Sequence, residues 1–286
     1  MARTVSAAFD ELLGRVALTP NQVDTASARH IRLRDFLKSK FNLAEDPWLT
    51  GSYSRKTIIR QDRDIDVMAA MSVREYWPTY QTKSSRLVNM VRDALNKQYG
   101  SSDVSSSGAA VIMSMDVFQV DVVPVFARDG GGYLVANGQD GWKATNPAFH
   151  FKLMEQHNKT DAFLKPLVKL LKYWNICNDE LIQSFHLEMM IEKMWRGASI
   201  GNHPHGLKET LRVLIGYVAG AFDDPWAPGG RIDTYLVGDA LKKATAHATS
   251  DAASAAAAEE LRAAGNDRAA FVEWRKVFRG EFPAFG

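Results

Sequence analysis

Phe9, Leu12, Leu13 and Val16 recur at intervals of three and four, the spacing of one helix face. Thr19 before Pro20 marks a second helix start, since proline's fixed φ suits the first helical position. The helix predicted there runs to about 41, with Val23, Ala26, Leu33, Phe36 and Leu37 as its inward positions. Ile31 fits that face less well, and 42–47 breaks the pattern.

The texture then becomes mixed. DPWLTGSYSRKT reads as a short apolar approach, a Gly-Ser turn and a short helix. RDIDVMAAM alternates and then turns apolar, which suits a central strand. TKSSRLVNMVRDALNKQY predicts a helix with Leu87, Met90, Val91 and Leu95 on one side, followed by SSDVSSSG as a turn-rich loop. AAVIMSMDVFQVDVVPVFA predicts two strands, or one bent strand broken near 114–116, and Pro124 places its last part at an edge or strand end. DGGG and NGQDG are turns beside short strands at 133–136 and 142–144.

After Asn146-Pro147 the periodicity is helical throughout. AFHFKLMEQHNK, DAFLKPLVKLLKYWNICN, SFHLEMMIEKMW and LKETLRVLIGYVAGAF each carry it, with Pro166 in an early turn or a local kink. DDPWAPGG reads as a loop, an Ala-rich helix follows over about 232–264 and stops at Gly265, and a last helix covers about 267–278. The prediction is an α+β chain: a catalytic lobe over 1–146, whose N-terminal helices are able to cross to the other lobe, and a helical lobe over 147–286.

Composition narrows the class. At 286 residues, with 46% hydrophobic and 24% charged positions, the chain buries a core and global disorder is excluded. A net charge of only +2 makes no case for a nucleic-acid coat, so stable nucleic-acid binding is not expected. The lone Cys177 allows neither an internal disulfide nor a cysteine zinc site, and reads as a buried or half-buried thiol. Asp10 and Glu11 interrupt the N-terminal apolar pattern and no long apolar run follows, so the expectation is a soluble, cytoplasmic protein without membrane spans.

Charge placement within the strands suggests chemistry. Asp64 and Asp66, two apart on a strand, share a face, where their repulsion favours a divalent cation; a plain polar strand face is the alternative. Asp121 stands alone among strong β-formers in VFQVDVVPVF, sharing its face with Gln119 and Val123 while Val120 and Val122 take the other. If its strand lies beside the first, three carboxylates converge in a set able to hold two metals for in-line phosphoryl displacement. Asp62, Asp103 and Asp116 sit at strand ends or in Ser-rich turns and are weaker ligand candidates. Gly51 lets the backbone approach a ligand, Ser52 offers a hydroxyl and the following amides open a helix, a phosphate-holding arrangement or an ordinary capped turn. Arg55 and Lys56 add positive charge there.

GSYSRKTIIRQDRDIDV with the later VDVVPV resembles the DNA polymerase beta-like nucleotidyltransferases, and among them the bacterial cGAS/DncV-like enzymes (CD-NTases). The Gly-Ser, Asp-x-Asp and third-Asp signature falls on Gly51, Ser52, Asp64, Asp66 and Asp121, with Lys56 where the family commonly has glycine. DAFLKPLVKLLKYWN, SFHLEMMIEKMW, FDDPW and AFVEWRKVFRGEFP extend the resemblance over nearly the whole chain. It implies a polymerase beta-like lobe with a mixed β-sheet packed against a helical C-terminal lobe.

In the second lobe Lys169 and Lys172, three apart, share a helix side and would neutralise a triphosphate, or else form a solvated face together with Lys165. The resemblance favours the first role. Ser184 contacts phosphate or caps its helix; His186 and Glu188 read as structural. His203 and His205 lack the further ligands a zinc site needs. Tyr53, Tyr173 and Trp174 are candidates for base stacking or packing, and Trp226 for anchoring its loop.

The function that the resemblance implies is synthesis of a cyclic di- or trinucleotide second messenger from NTPs in antiphage defence, with Mg²⁺, or Mn²⁺ in its place, held by Asp64, Asp66 and Asp121. Ring closure, a product-sensing effector and a regulatory partner are implied by the resemblance alone. Two rivals stand beside it: a template-independent transferase acting on RNA, protein or a small molecule, and a catalytically silent nucleotide-binding protein. Base choice and linkage stay open.

Overall fold

A computed structural model of the chain describes residues 2–62, 64–100, 104–115 and 118–286. It divides into a sheet unit, Leu18–Ile58 with Asp62–Lys152, and a helical unit, Met1–Ala17 with Ile59–Gln61 and Leu153–Gly286.

The sheet unit begins with α2 (Pro20–Lys40), following α1 (Val5–Val16) of the other unit. Thr19 starts α2 through a capping box: its hydroxyl accepts from the Gln22 N–H while Gln22 accepts from the Thr19 N–H. Ala26, Leu33 and Leu37 form its buried stripe. Val23, expected inward, is 41% exposed in the first turn of the helix, ahead of that stripe.

The sheet is seven-stranded among the described residues. Its strands are β1 (Trp48–Leu49), β2 (Asp64–Ala70), β3 (Val104–Ser107), β4 (Ala110–Met115), β5 (Phe118–Ala127), β6 (Tyr133–Ala136) and β7 (Trp142–Thr145). Their order is β1-β2-β5-β4-β3, with β6 also on β5 and β7 on β6. The β2–β5 pair is parallel and the others antiparallel. Helices α3 (Gly51–Arg55), α4 (Val73–Tyr80) and α5 (Ser84–Tyr99) interrupt the strands. With α2, helix α5 covers the face bearing Ile65, Val67, Val120 and Val122, and these residues share one core.

Two expectations change here. VSSS is not loop but β3, paired with β4 from Val104↔Met113 to Ser107↔Ala110, because backbone pairing overrides the weak strand preference of serine. Pro124 lies inside β5 rather than at its end. On that side β4 pairs only as far as Val122 and β6 begins at Val125, so the residue without an N–H falls in the gap between two partners.

In the helical unit, α7 (Leu164–Cys177), α8 (Ser184–Trp195), α9 (His203–Ala219), α10 (Gly238–Ala263) and α11 (Asp267–Val277) follow α6 (Pro147–Thr160), whose first six residues belong to the sheet unit. The chain thus passes between the units within α6, at 152/153, whereas 146/147 is the start of that helix, and α1 counts with the helical unit because its apolar face packs there. Phe9 of α1 meets Trp274 and Phe282 edge-on at 4.9 and 5.0 Å. Ala244, Ala248, Asp251, Ala255 and Ala258 make a small-residue seam along α10, which packs on α9 and α11. Within it the buried Asp251 accepts from Trp174 Nε1 (2.8 Å) and Arg279 Nη1 (2.8 Å). DDPWAPGG, read as a loop, contains β8 (Asp223–Asp224) and β9 (Ala227–Arg231), a small antiparallel ladder. No helix is long and apolar enough to cross a membrane among the described residues.

Candidate active site

Strand period and register bring the acids together. Asp64 and Asp66 share one face of β2 by alternation, with Ile65 buried on the other. In the β2–β5 ladder Asp66 is the direct partner of Asp121, and Asp64 is the partner of Gln119. In-register neighbours on adjacent strands project to the same side, so Asp64, Asp66 and Asp121 stand on one face, opposite the helix-covered core. Asp64 is exposed, while Asp66 and Asp121 are half-buried.

The electrostatics follow from this crowding. Burial, and then the charge of Asp64, push the Asp121 carboxyl up to about 6, against a hydrogen bond from Gln119 that pulls it down. Gln119 Nε2 donates to Asp121 Oδ1 at 3.0 Å. The alternation placed Gln119 on the acid face, but its bond to Asp121 was not foreseen; the spacing of two was its only signal.

The Gly-Ser turn is built against the same acids. Thr50 N–H donates to the Asp66 carbonyl at 2.9 Å, which carries the chain from β1 directly into the turn beside Asp66. Gly51 has φ +63°, and a Cβ there would overlap Asp66 Oδ2. Ser52, the second residue of α3, is half-buried; its carbonyl closes the turn by accepting from Thr57 and Ile58 N–H at 3.0 and 3.2 Å. Lys56 caps α3 in the left-handed region at φ +60°, where glycine is unstrained. Lys56 is exposed, whereas Arg55, expected to add charge beside a phosphate, is buried.

Three carboxylates on one strand face offer hard oxygen donors, so the residues suit Mg²⁺ or Mn²⁺. Among the described residues no three His, Cys, Asp or Glu side chains stand as a ready metal-binding group. The fit therefore rests on shared face, register and charge. Asp103 and Asp116 lie outside the described residues. Asp62 lies just before β2.

The second set of candidates lies in the helical unit. Lys172 is buried and pairs with the buried Glu188 across α7 and α8 at 2.9 Å, so its ammonium is committed inside the unit. Lys165 pairs with Glu155. Lys169, half-buried between them, has no carboxylate partner among the described residues, and burial followed by the charges of Lys165 and Lys172 lowers its pKa. Ser184 is the first residue of α8, not its cap; the N-cap is Gln183. Pro166 sits in the first turn of α7.

The remaining candidates pack. Tyr53 borders the sheet-unit core, Tyr173 stacks on Phe278 and Trp174 is buried on Asp251. His186 Nδ1 meets Tyr235 Oη at 3.0 Å, and burial pushes the imidazole down to about 4. His203 faces Phe163 and stands 3.8 Å from Asp10. The Trp226 N–H donates to Asp224 Oδ1 within the hairpin turn. Burial raises the Cys177 thiol to about 11, leaving it inert as a nucleophile near neutral pH.

Comparison with known proteins gives the family and the fold. Residues 3–158 match the family model of the Second Messenger Oligonucleotide or Dinucleotide Synthetase domain. A cyclic AMP-AMP-AMP synthase of Acinetobacter sp. is 27% identical, over 98% of this chain and 86% of that protein. The structure of CdnC from Escherichia coli with ATP superposes with a TM-score of 0.79 at 18% identity, covering 98% of this chain and 99% of that one. CdnC in a HORMA complex gives a TM-score of 0.77 at 19% identity, with 97% of each chain covered. These structural likenesses show a shared fold.

Proposed function

This chain belongs to the second messenger oligonucleotide or dinucleotide synthetase family and is a nucleotidyltransferase; we propose that it joins nucleoside triphosphates into a cyclic di- or trinucleotide signal of antiphage defence, with Asp64, Asp66 and Asp121 as its metal-binding acids. The observation that carries the reading is the register of Asp66 against Asp121, with Asp64 on the same face. When bound, Mg²⁺ supplies charge neutralisation for the acids and the triphosphate and polarises the reacting oxygens.

The chain's own residues do the rest. The Gly51 turn brings backbone close to the Asp66 carboxylate, where a triphosphate is to be oriented, and the Ser52 hydroxyl is proposed to help hold it. A ribose hydroxyl attacks the α-phosphorus of a second nucleotide, the bond to pyrophosphate breaks, and the hydroxyl proton leaves towards the Asp121 carboxylate. A second transfer of the same kind within the linear product closes the ring. Lys169, with no acidic partner among the described residues, is the lysine proposed to meet a phosphate; Ser184 is proposed beside it. Lys172 keeps a supporting role through Glu188.

The Acinetobacter relative is a cyclic AMP-AMP-AMP synthase, which makes ATP the first substrate to test. CdnC forms a HORMA complex, so a regulatory protein of that kind is the proposed partner, with the effector reading only the released product. The purified chain is incubated with all four NTPs and Mg²⁺ or Mn²⁺, and products are identified by mass spectrometry after phosphatase treatment. A phosphatase-resistant cyclic product, absent with Asp66→Asn, is expected. Tailed RNA, a modified acceptor, or product formation unchanged in Asp66→Asn defeats the reading.

A further inference from the structure

Gln119 occupies a position that the acid trio leaves unexplained. It is the in-register partner of Asp64 across the β2–β5 ladder and lies two residues before Asp121 along β5. Its side chain therefore has one acid beside it on the neighbouring strand and another along its own. An ionised carboxylate only accepts hydrogen bonds, so the amide must present its NH₂ group, and Nε2 donates to Asp121 Oδ1 at 3.0 Å.

That bond has work to do. Asp66 and Asp121 are direct ladder partners and Asp64 adds a third like charge, so each carboxylate gains by rotating away from the others. A carboxylate on a strand has free torsions about χ1 and χ2, and nothing in the strand pairing restrains them. Gln119 does: it binds one oxygen of Asp121 and leaves Oδ2 as the oxygen it does not occupy. A neutral amide does this without adding a fourth negative charge.

We propose that Gln119 is a positioning residue that holds the Asp121 carboxylate in its metal-binding orientation. The inference rests on the metal reading of Asp64, Asp66 and Asp121. Side chains that orient metal ligands in this way typically alter metal affinity by about 10–100-fold when removed.

The test measures Mn²⁺ binding directly by electron paramagnetic resonance on the nucleotide-free full chain, alongside turnover as a function of Mn²⁺ concentration. The proteins are the parent, Gln119→Met, Gln119→Ala and Asp66→Asn, each checked by thermal unfolding. Gln119→Met keeps the side chain's length without its donor; Gln119→Ala removes both, so one folded variant is enough. Expected are a Mn²⁺ dissociation constant raised about tenfold, a fall in kcat that excess Mn²⁺ recovers, and an NTP KM near the parent's at saturating metal. Mn²⁺ binding and metal dependence equal to the parent's in a folded Gln119 variant overturn the role of Gln119 alone. Mn²⁺ binding by the parent that survives Asp66→Asn overturns the metal reading itself, and the role of Gln119 with it.

Discussion

Replacing Gly51 by alanine separates contact from backbone strain at the heart of the site. Gly51 sits at φ +63°, and its missing Cβ is where Asp66 Oδ2 lies. Two penalties follow. The left-handed backbone costs an L-residue about 1–2 kcal/mol, a loss of a few degrees in Tm. The overlap adds a displacement: either the turn or the Asp66 carboxylate must move by roughly 1 Å or more, and misplacement of that size lowers turnover about 100-fold. Gly108→Ala supplies the control, since Gly108 has φ +56° and nothing within 4 Å of its Cβ position. Thermal unfolding and NTP turnover are measured on both. Similar destabilisation is expected in the two variants, with turnover lost only in Gly51→Ala. Turnover within threefold of the parent in Gly51→Ala would refute the placement of the turn against Asp66.

Lys56→Gly relieves the left-handed strain at φ +60° and is expected to raise stability by about 1 kcal/mol in urea unfolding. Lys172→Met leaves Glu188 buried without its ammonium and is expected to lose about 3–5 kcal/mol, most of it recovered in the Lys172→Met/Glu188→Met double variant; a double-mutant cycle by urea unfolding reads this. Lys169→Met should leave stability level or higher, because a partly desolvated ammonium is removed, while the KM for NTP rises several-fold in steady-state assays. For His186, the folded pKa of about 4 lies below the unfolded value near 6.5, so the unfolded chain binds the extra proton between them. Its contribution is complete above pH 6.5 and is lost as pH falls towards 4, by roughly 3 kcal/mol at most. Unfolding across that range should show a flatter profile in His186→Phe, and identical profiles would contradict the buried neutral imidazole.

Local pattern made much of this protein readable. The period of two put Asp64 with Asp66 and Gln119 with Asp121, and helical spacing located α1, α5, α7 and α11. Thr19 and Gly265 marked helix ends, since capping and left-handed backbone are properties of single residues and their immediate neighbours. The serines of β3 and the place of Pro124 within β5 are not readable in this way, for the complementary reason: their fate depends on which strand lies alongside. VSSS becomes strand only because β4 pairs with it, and Pro124 is tolerated only because β4 ends before it and β6 begins after it.

The site divides along the same line. The sequence alone determined which residues carry charge, which of them share a strand face and where the backbone needs glycine. The tertiary structure decided that Asp121 stands opposite Asp66, that Gly51 is pressed against that same carboxylate, and that Lys172 is held by Glu188 while Lys169 has no such partner among the described residues. Strand register and ion pairing join residues far apart in the chain. They are settled by the packing of whole faces, and no spacing along the sequence encodes them.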